Sequence, residues 1–293
     1  MPKVIDMELA LQQKIPDIYN KIPGALLWLM EKIIRQDDMN RLIHESSHLH
    51  GIPMVDWALD QFGVDIIVKG KELIPKNGQF IFLANHPIGS LDGLAIISVI
   101  ATIHRSVKFI VNDLLKVING FEPVALYIAR FGQMNKQNAI SINKTLASDA
   151  QLLVQPAGAV SKRNPVKISD LPWNKFFIHK AIQYKRDVIP VHVQARNSQL
   201  FYNIASFRKI FRIESNLEMF LLPREMFNKS GKTITITFGK PIAYKTFDKS
   251  RTHLEWAQKV REYVYLLDNE KFSSASTIPA FSDILWILRK LHH

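Results

Sequence analysis

His86 and Asp92, in the run Leu83-Ala84-Asn85-His86-Pro87-Ile88-Gly89-Ser90-Leu91-Asp92-Gly93, are the side chains of this sequence best suited to chemistry. An imidazole titrates near neutral pH, and a carboxylate beside it fixes its tautomer and stabilises the imidazolium, so the pair suits proton abstraction from a hydroxyl. The apolar run Gln79–Ala84 is too short for a helix and reads as a buried strand that ends abruptly in polar turn residues. Pro87 biases His86 toward extended backbone, Gly89 permits a sharp turn, and Leu91–Ile103 is apolar and helix-like. Imidazole, carboxylate and a helix N-terminus thus converge at one strand end. A purely structural reading stands beside this one, because a carboxylate at such a turn also caps a helix.

The elements that must position these residues are set by the rest of the chain. Its 293 residues, 47% of them hydrophobic, suffice for a large core, either one big domain or one domain with a helical appendage. From Asp6 to about Phe62 the pattern is helical, with breaks at Pro16, Pro23-Gly24 and Gly51-Ile52-Pro53. Apolar Leu26, Leu27, Trp28, Leu29, Ile33 and Ile34 spread broadly around their helix, so this segment either packs on the main domain or lies against a bilayer. Beyond Phe62, strand candidates (Val64–Val68, Gln79–Ala84, Val107–Val111, Leu152–Gln155, Asp187–Val193, Leu217–Leu222 and Thr233–Phe238) alternate with helical stretches such as Ser141–Ala150, Asn174–Tyr184, Phe201–Phe211 and His253–Leu267. That alternation predicts an α/β fold, a central mostly parallel sheet flanked by helices with an N-terminal helical segment. The expected division is 1–62 helical segment, 63–268 α/β domain, and 269–293 a Ser-rich linker with a basic amphipathic helix, which either docks on its own domain or anchors at an interface.

Composition narrows the partners. The 38 Lys+Arg against 26 Asp+Glu leave a net charge of +12, which favours polyanionic partners: nucleic acid, an anionic lipid surface, or a phosphorylated or acidic carrier substrate. Scattered Lys and Arg without a recognisable nucleic-acid motif make no nucleic acid the expectation. With no cysteine there is no thiolate nucleophile, disulfide or cysteine-based zinc site. No basic flank leads into an apolar block at the start, and apolar runs fall short of the ~18 residues a spanning helix needs, so a cytoplasmic protein is expected, with surface attachment left open.

His44-Glu45-Ser46-Ser47-His48 matches the zinc-protease pattern, with two His one helical turn apart and Glu as base. Met54 stands where the extended version has its third ligand, and Gly51 and Pro53 break the helix, so a solvated helix end and no metal are expected. No G-x-S-x-G elbow, P-loop or dinucleotide fingerprint occurs.

The order of segments from about residue 62 to 267 resembles the glycerolipid acyltransferases, the lysophosphatidic-acid-type enzymes with a His-x4-Asp motif. Val64–Gly70 followed by Phe80–Asp92 looks like the entry strands and the His/Asp block. Phe131–Lys136 stands where the family has a strand ending in a phosphate-binding Arg. Val154-Gln155-Pro156-Ala157-Gly158, then Ser161-Lys162-Arg163, is similar to the third block, usually Pro-Glu-Gly-Thr with a basic residue, and Val188-Ile189-Pro190-Val191 to the last. Five residues here separate His86 from Asp92, an extra one that looping around Gly89 can absorb. Lys136 replaces the Arg, giving up its bidentate fork, and Ala157 replaces the Glu.

These departures resemble bacterial hemolysin-like members that make ornithine- or glycine-type aminolipids or act on lysophospholipids. The resemblance implies an O-acyltransferase that moves a fatty acyl group from an acyl carrier protein or coenzyme A thioester to a lysolipid hydroxyl. It implies His86 as general base, Asp92 as its orienter, and substrate contacts from Asn85, Gly89, Ser90, Asn135, Lys136, Pro156, Ala157, Gly158, Lys162 and Arg163, at the inner face of the cell membrane, with no cofactor. Two other readings stand beside it: a non-catalytic basic membrane- or nucleic-acid-binding protein on such a scaffold, and a zinc hydrolase.

Overall fold

A computed structural model describes residues 3–14, 16–128, 136–164, 167–210, 217–269, 271–272 and 274–290. In chain order the helices are Met7–Lys14 (α1), Pro16–Tyr19 (α2), Gly24–Ile34 (α3), Gln36–Glu45 (α4), Ile52–Phe62 (α5), Ser90–Ala101 (α6), Lys136–Leu146 (α7), Phe176–Tyr184 (α8), Gln199–Ile210 (α9), Leu222–Phe227 (α10), His253–Leu266 (α11) and Phe281–Lys290 (α12). The strands are Asp65–Lys69 (β1), Phe80–Ala84 (β2), Val107–Asn112 (β3), Ala125–Ile128 (β4), Gln151–Val154 (β5), Lys162–Arg163 (β6), Ile168–Ser169 (β7), Asp187–Gln194 (β8) and Thr233–Phe238 (β9).

Among these residues a central sheet runs β1-β9-β8-β2-β5-β3-β4, and β6 pairs with β7 as a small antiparallel ribbon. Every pairing in the central sheet is parallel except β8 with β9. Central strand β2 is buried along its whole length between β8 and β5, which is why it reads as an unbroken apolar run. Helices cover both faces. One core joins α4, α5 and α6 to the sheet through residues such as Leu42, Leu59, Phe62, Ile97 and Phe82, and the other joins α7, α8, α11 and α12 through Trp173, Trp256, Tyr263, Phe281 and Ile284. A third apolar cluster links α1 and α3 to α9 and to Leu221, with Leu222 packed against it.

Two expectations are corrected. Leu217–Leu222 is not a strand: Leu217–Leu221 forms a 3-10 turn that runs into α10, whose first turn contains Pro223. Pro is accommodated where helical N–H groups lack partners anyway, and Leu, Glu and Met favour helix over strand. Conversely β4, a short strand at the sheet edge, was not expected. The C-terminal segment buries Ile278, Phe281 and Ile284 in the second core, so its helix docks on its own domain.

Candidate active site

The turn after β2 is built by side chains that continue the strand ladder while the main chain leaves it. Asn85 donates from Nδ2 to the Val193 carbonyl at 2.9 Å and accepts the Val193 N–H on Oδ1 at 2.7 Å, reproducing a backbone pairing with β8. This buried amide is therefore a structural pin; its contacts are to β8. Released from the ladder, His86 projects at the carboxyl edge of the parallel strands, where ligands of open α/β sheets bind. Gly89 turns the chain with φ +84°, a conformation that favours glycine, and a Cβ built there would press on Leu222 Cδ2 at 3.1 Å. Ser90, half-buried, opens α6, and Asp92 falls in its first turn.

Asp92 meets His86 and also ties the turn before α6, without capping the helix. Its Oδ2 accepts the Ile88 N–H at 3.0 Å, and its Oδ1 lies 3.1 Å from His86 Nδ1, with Oδ2 at 3.3 Å. The extra residue between His86 and Asp92 is thus taken up in the turn. An ionised carboxylate only accepts, so Nδ1 carries its hydrogen and the lone pair on Nε2 is available as a base. Asp92 is fully buried, whereas the His86 side chain keeps 18% of its surface open. Burial works against the imidazolium, but the charge and hydrogen bond of Asp92, joined by the charge of Asp170, outweigh it and raise the His86 pKa above 6.5.

Two residues that sequence reasoning missed complete the site. Gln155, at the end of β5 beside β2, donates from Nε2 to Asp92 Oδ1 at 2.6 Å and to the Asn85 carbonyl at 3.3 Å, so it clamps the dyad across two strands. A polar residue ending an apolar strand was its signal, the same one that marked His86. Asp170, buried beyond β7, accepts the His86 N–H at 3.1 Å; nothing in Ile168-Ser169-Asp170 announced it.

The third block meets the dyad through its backbone. The Ser161 N–H donates to the His86 carbonyl at 2.7 Å, which brings the 156–161 loop against the turn that carries His86. Within it Pro156 is buried and capped by Asn174, Ala157 packs on the second core, and Gly158 is exposed with φ +65°. Lys162 and Arg163 follow directly in β6. Arg163 is aimed by α9: it donates to Gln199 Oε1 at 2.7 Å and Asn203 Oδ1 at 3.3 Å, and stacks 5.3 Å over the Tyr202 ring. Lys136 is the exposed first residue of α7, which must start at this same edge because it carries the chain back to β5. Asn135 lies outside the described residues. A cavity of about 270 Å³ lined by Lys76, Gln79, His104, Arg105, Asp149 and Gln151 sits at the opposite edge and contains neither dyad residue. At the zinc-protease pattern, α4 stops at Glu45, so His44 and exposed His48 do not share a helical face.

Comparison with known proteins decides the family, because an acyltransferase family model matches residues 9–274. The chain belongs to the acyltransferase family. Two relatives are both named lyso-glycine lipid O-acyltransferase: the Bacteroides thetaiotaomicron protein is 40% identical over 265 residues, 90% of this chain and 97% of that one. The Phocaeicola vulgatus protein is 35% identical over 265 residues, 90% of this chain and 95% of its own. Among solved structures, the 1-acyl-sn-glycerophosphate (LPA) acyltransferase PlsC from Thermotoga maritima aligns with a TM-score of 0.48 and 16% identity, covering 83% of this chain and 96% of that one. The acyltransferase is thus an enzyme, and the reading as a non-catalytic binding protein falls away.

Proposed function

We propose that this acyltransferase moves a fatty acyl group from a thioester, on an acyl carrier protein or coenzyme A, to the hydroxyl of a lysolipid. The observation that carries the reading is the His86 Nδ1–Asp92 Oδ1 contact of 3.1 Å, on a ring that still reaches solvent at the carboxyl edge of the sheet. His86 Nε2 takes the proton of the acceptor hydroxyl as its oxygen attacks the thioester carbonyl. The tetrahedral oxyanion is met by backbone N–H groups, for which the α6 start and the Gly158 turn are the candidates. Collapse breaks the C–S bond, and His86 returns its proton to the leaving thiolate, giving an ester and a free thiol. No acyl-enzyme is needed in this scheme.

A glycine-type lysolipid is the acceptor that the two relatives' names suggest, and a carboxylate suits a guanidinium held as Arg163 is, by amides and a ring, with Lys162 beside it. The acyl chain is placed along the apolar cluster that includes Val160 and borders Leu222 and Gly89. No described helix is long and apolar enough to cross a membrane. Exposed Leu26, Trp28, Leu29 and Ile33 on α3 fit peripheral attachment to the inner face of the cell membrane.

Purified protein incubated with lyso-glycine lipid and a fatty acyl thioester tests this directly, read as thiol release and diacylated product. We expect turnover in the wild type and a loss of about 10³-fold in His86→Ala with the fold intact. Absence of acylated lipid, or near-full activity in His86→Ala, overturns the reading.

A further inference from the structure

Asp170 is a buried carboxylate that the scheme above does not use, and its surroundings are unusual. Oδ1 accepts the His86 N–H at 3.1 Å and the Ser161 hydroxyl at 2.5 Å, and Oδ2 accepts the Trp173 indole N–H at 2.9 Å. Those three donors, the main-chain N–H of His86, a hydroxyl and an indole N–H, are neutral. The nearby cation, Arg261 of α11, reaches the main-chain carbonyl of Asp170 at 2.7 Å, and Tyr265 of the same helix takes the Asp170 N–H on its hydroxyl at 2.7 Å. Burying a carboxylate is costly unless its lone pairs are occupied, and neutral donors satisfy them without cancelling the charge. The negative field is therefore left for the neighbouring imidazole.

We propose that Asp170 is a positioning residue for the reaction, a second carboxylate that sets both the place and the proton affinity of His86. The first half rests on connectivity. By holding the His86 N–H and the Ser161 hydroxyl on one oxygen, while Ser161 N–H holds the His86 carbonyl, Asp170 closes a ring of bonds around the catalytic peptide unit. The second half rests on charge. The described ionisable groups that face His86 are Asp92 from α6 and Asp170 from the loop after β7; Tyr265 and Arg261 stand behind Asp170 on α11. Burial opposes the imidazolium, and Asp170 adds to Asp92 in the opposite direction. During transfer His86 is cationic only while it holds the acceptor's proton, so both anions act on that state.

This inference rests on His86 being the base, so its test needs a readout independent of turnover: the NMR titration of the His86 imidazole in the full chain, beside the pH profile of kcat/KM. Asp170→Asn keeps the size and removes the charge. We expect the His86 titration and the acid limb of the profile to move down together by about half a pH unit or more. Ser161→Ala keeps the charge and removes only a neutral donor, so both midpoints stay within about 0.2 pH unit of the wild type. A role in packing alone lowers activity at every pH and moves neither midpoint in either variant. An unchanged titration in Asp170→Asn overturns the proposal, and so does a downward shift in Ser161→Ala as large as that of Asp170→Asn. Should Asp170→Asn fail to fold, Asp170→Ser, which also removes the charge, decides, a downward shift supporting and no shift overturning. A titration that moves without any acyl transfer by the wild type condemns the reading of the reaction and leaves the Asp170 geometry standing.

Discussion

At the residue scale, the site works by exclusion of alternatives. Asp92 is fully buried and takes bonds from Ile88 N–H, Gln155 Nε2 and His86 Nδ1, so its oxygens have fixed partners and the ring has one tautomer compatible with them. Asp92→Asn keeps the shape but sets an amide against those donors and deletes the nearest anion. The sign follows from the proposed role: the anions near His86 raise its pKa from the usual imidazole value, and a base works only when neutral, so the wild-type acid limb is expected on the alkaline side of that value. In Asp92→Asn the limb moves to lower pH while kcat falls by about 10²-fold or more, with KM for the lysolipid little changed, as steady-state kinetics across pH will show. Both dyad residues were legible because a polar pair interrupts an apolar strand-to-helix passage. Gln155 was half legible: it ends a strand in the same manner, but only the order β8-β2-β5 reveals that its strand adjoins β2. Asp170 was not legible, since its importance lies entirely in contacts to residues distant in sequence. Asn85, a candidate substrate contact in the sequence, spends its side-chain amide on β8, a role that no sequence pattern separates from ligand contact.

At the element scale, one arginine holds a helix end. Arg186, buried at the start of β8, donates to the carbonyls of Leu146, Ala150, Thr145 and Ser148, closing the C-terminal end of α7 and the loop that leads to β5. The last carbonyls of a helix lack helical partners, and a cation there also complements the helix dipole; of the four, the Thr145 carbonyl also accepts the Ser148 N–H at 3.2 Å and the Ser148 hydroxyl at 2.8 Å. Arg186→Met removes the four guanidinium bonds, and we expect a loss of roughly 3 kcal/mol, seen as a melting temperature several degrees lower, with the His86 titration unmoved. Strands β2, β5 and β8 were visible in the sequence because burial on both faces demands mostly apolar runs, and β9, Thr-Ile-Thr-Ile-Thr-Phe, by its alternation of polar and apolar residues. The edge strand β4, Ala-Leu-Tyr-Ile, was too short to separate from the loop before it. The Leu217–Leu221 segment misled for the opposite reason: its Phe220 and Leu221 face a third cluster between helices, and its Glu218 pairs with buried Arg208 at 2.9 Å, an arrangement no periodicity discloses.

At the scale of the whole molecule, the exposed apolar residues are unevenly spread. Trp28 keeps 60% of its surface open and Ile210 keeps 76%, and α3 and the α9 region adjoin through the 3-10 turn before α10. The double variant Trp28→Ser/Leu29→Ser should lower co-flotation with anionic vesicles by about tenfold or more while acylation of a soluble short-chain acceptor is retained. Equal flotation of variant and wild type would remove α3 from the membrane contact. The connectivity of the sheet has a separate consequence for biogenesis. Among the described residues strand β1 pairs only with β9, in a register that joins Asp65 to Thr233, and Ile278, Phe281 and Ile284 join the second core from the far end of the chain. A growing polypeptide therefore leaves the ribosome with β1 lacking its partner until Thr233–Phe238 has emerged and with an open greasy flank until Ile278–Ile284 has followed, which makes synthesis itself an interval of exposure to chaperones and to aggregation.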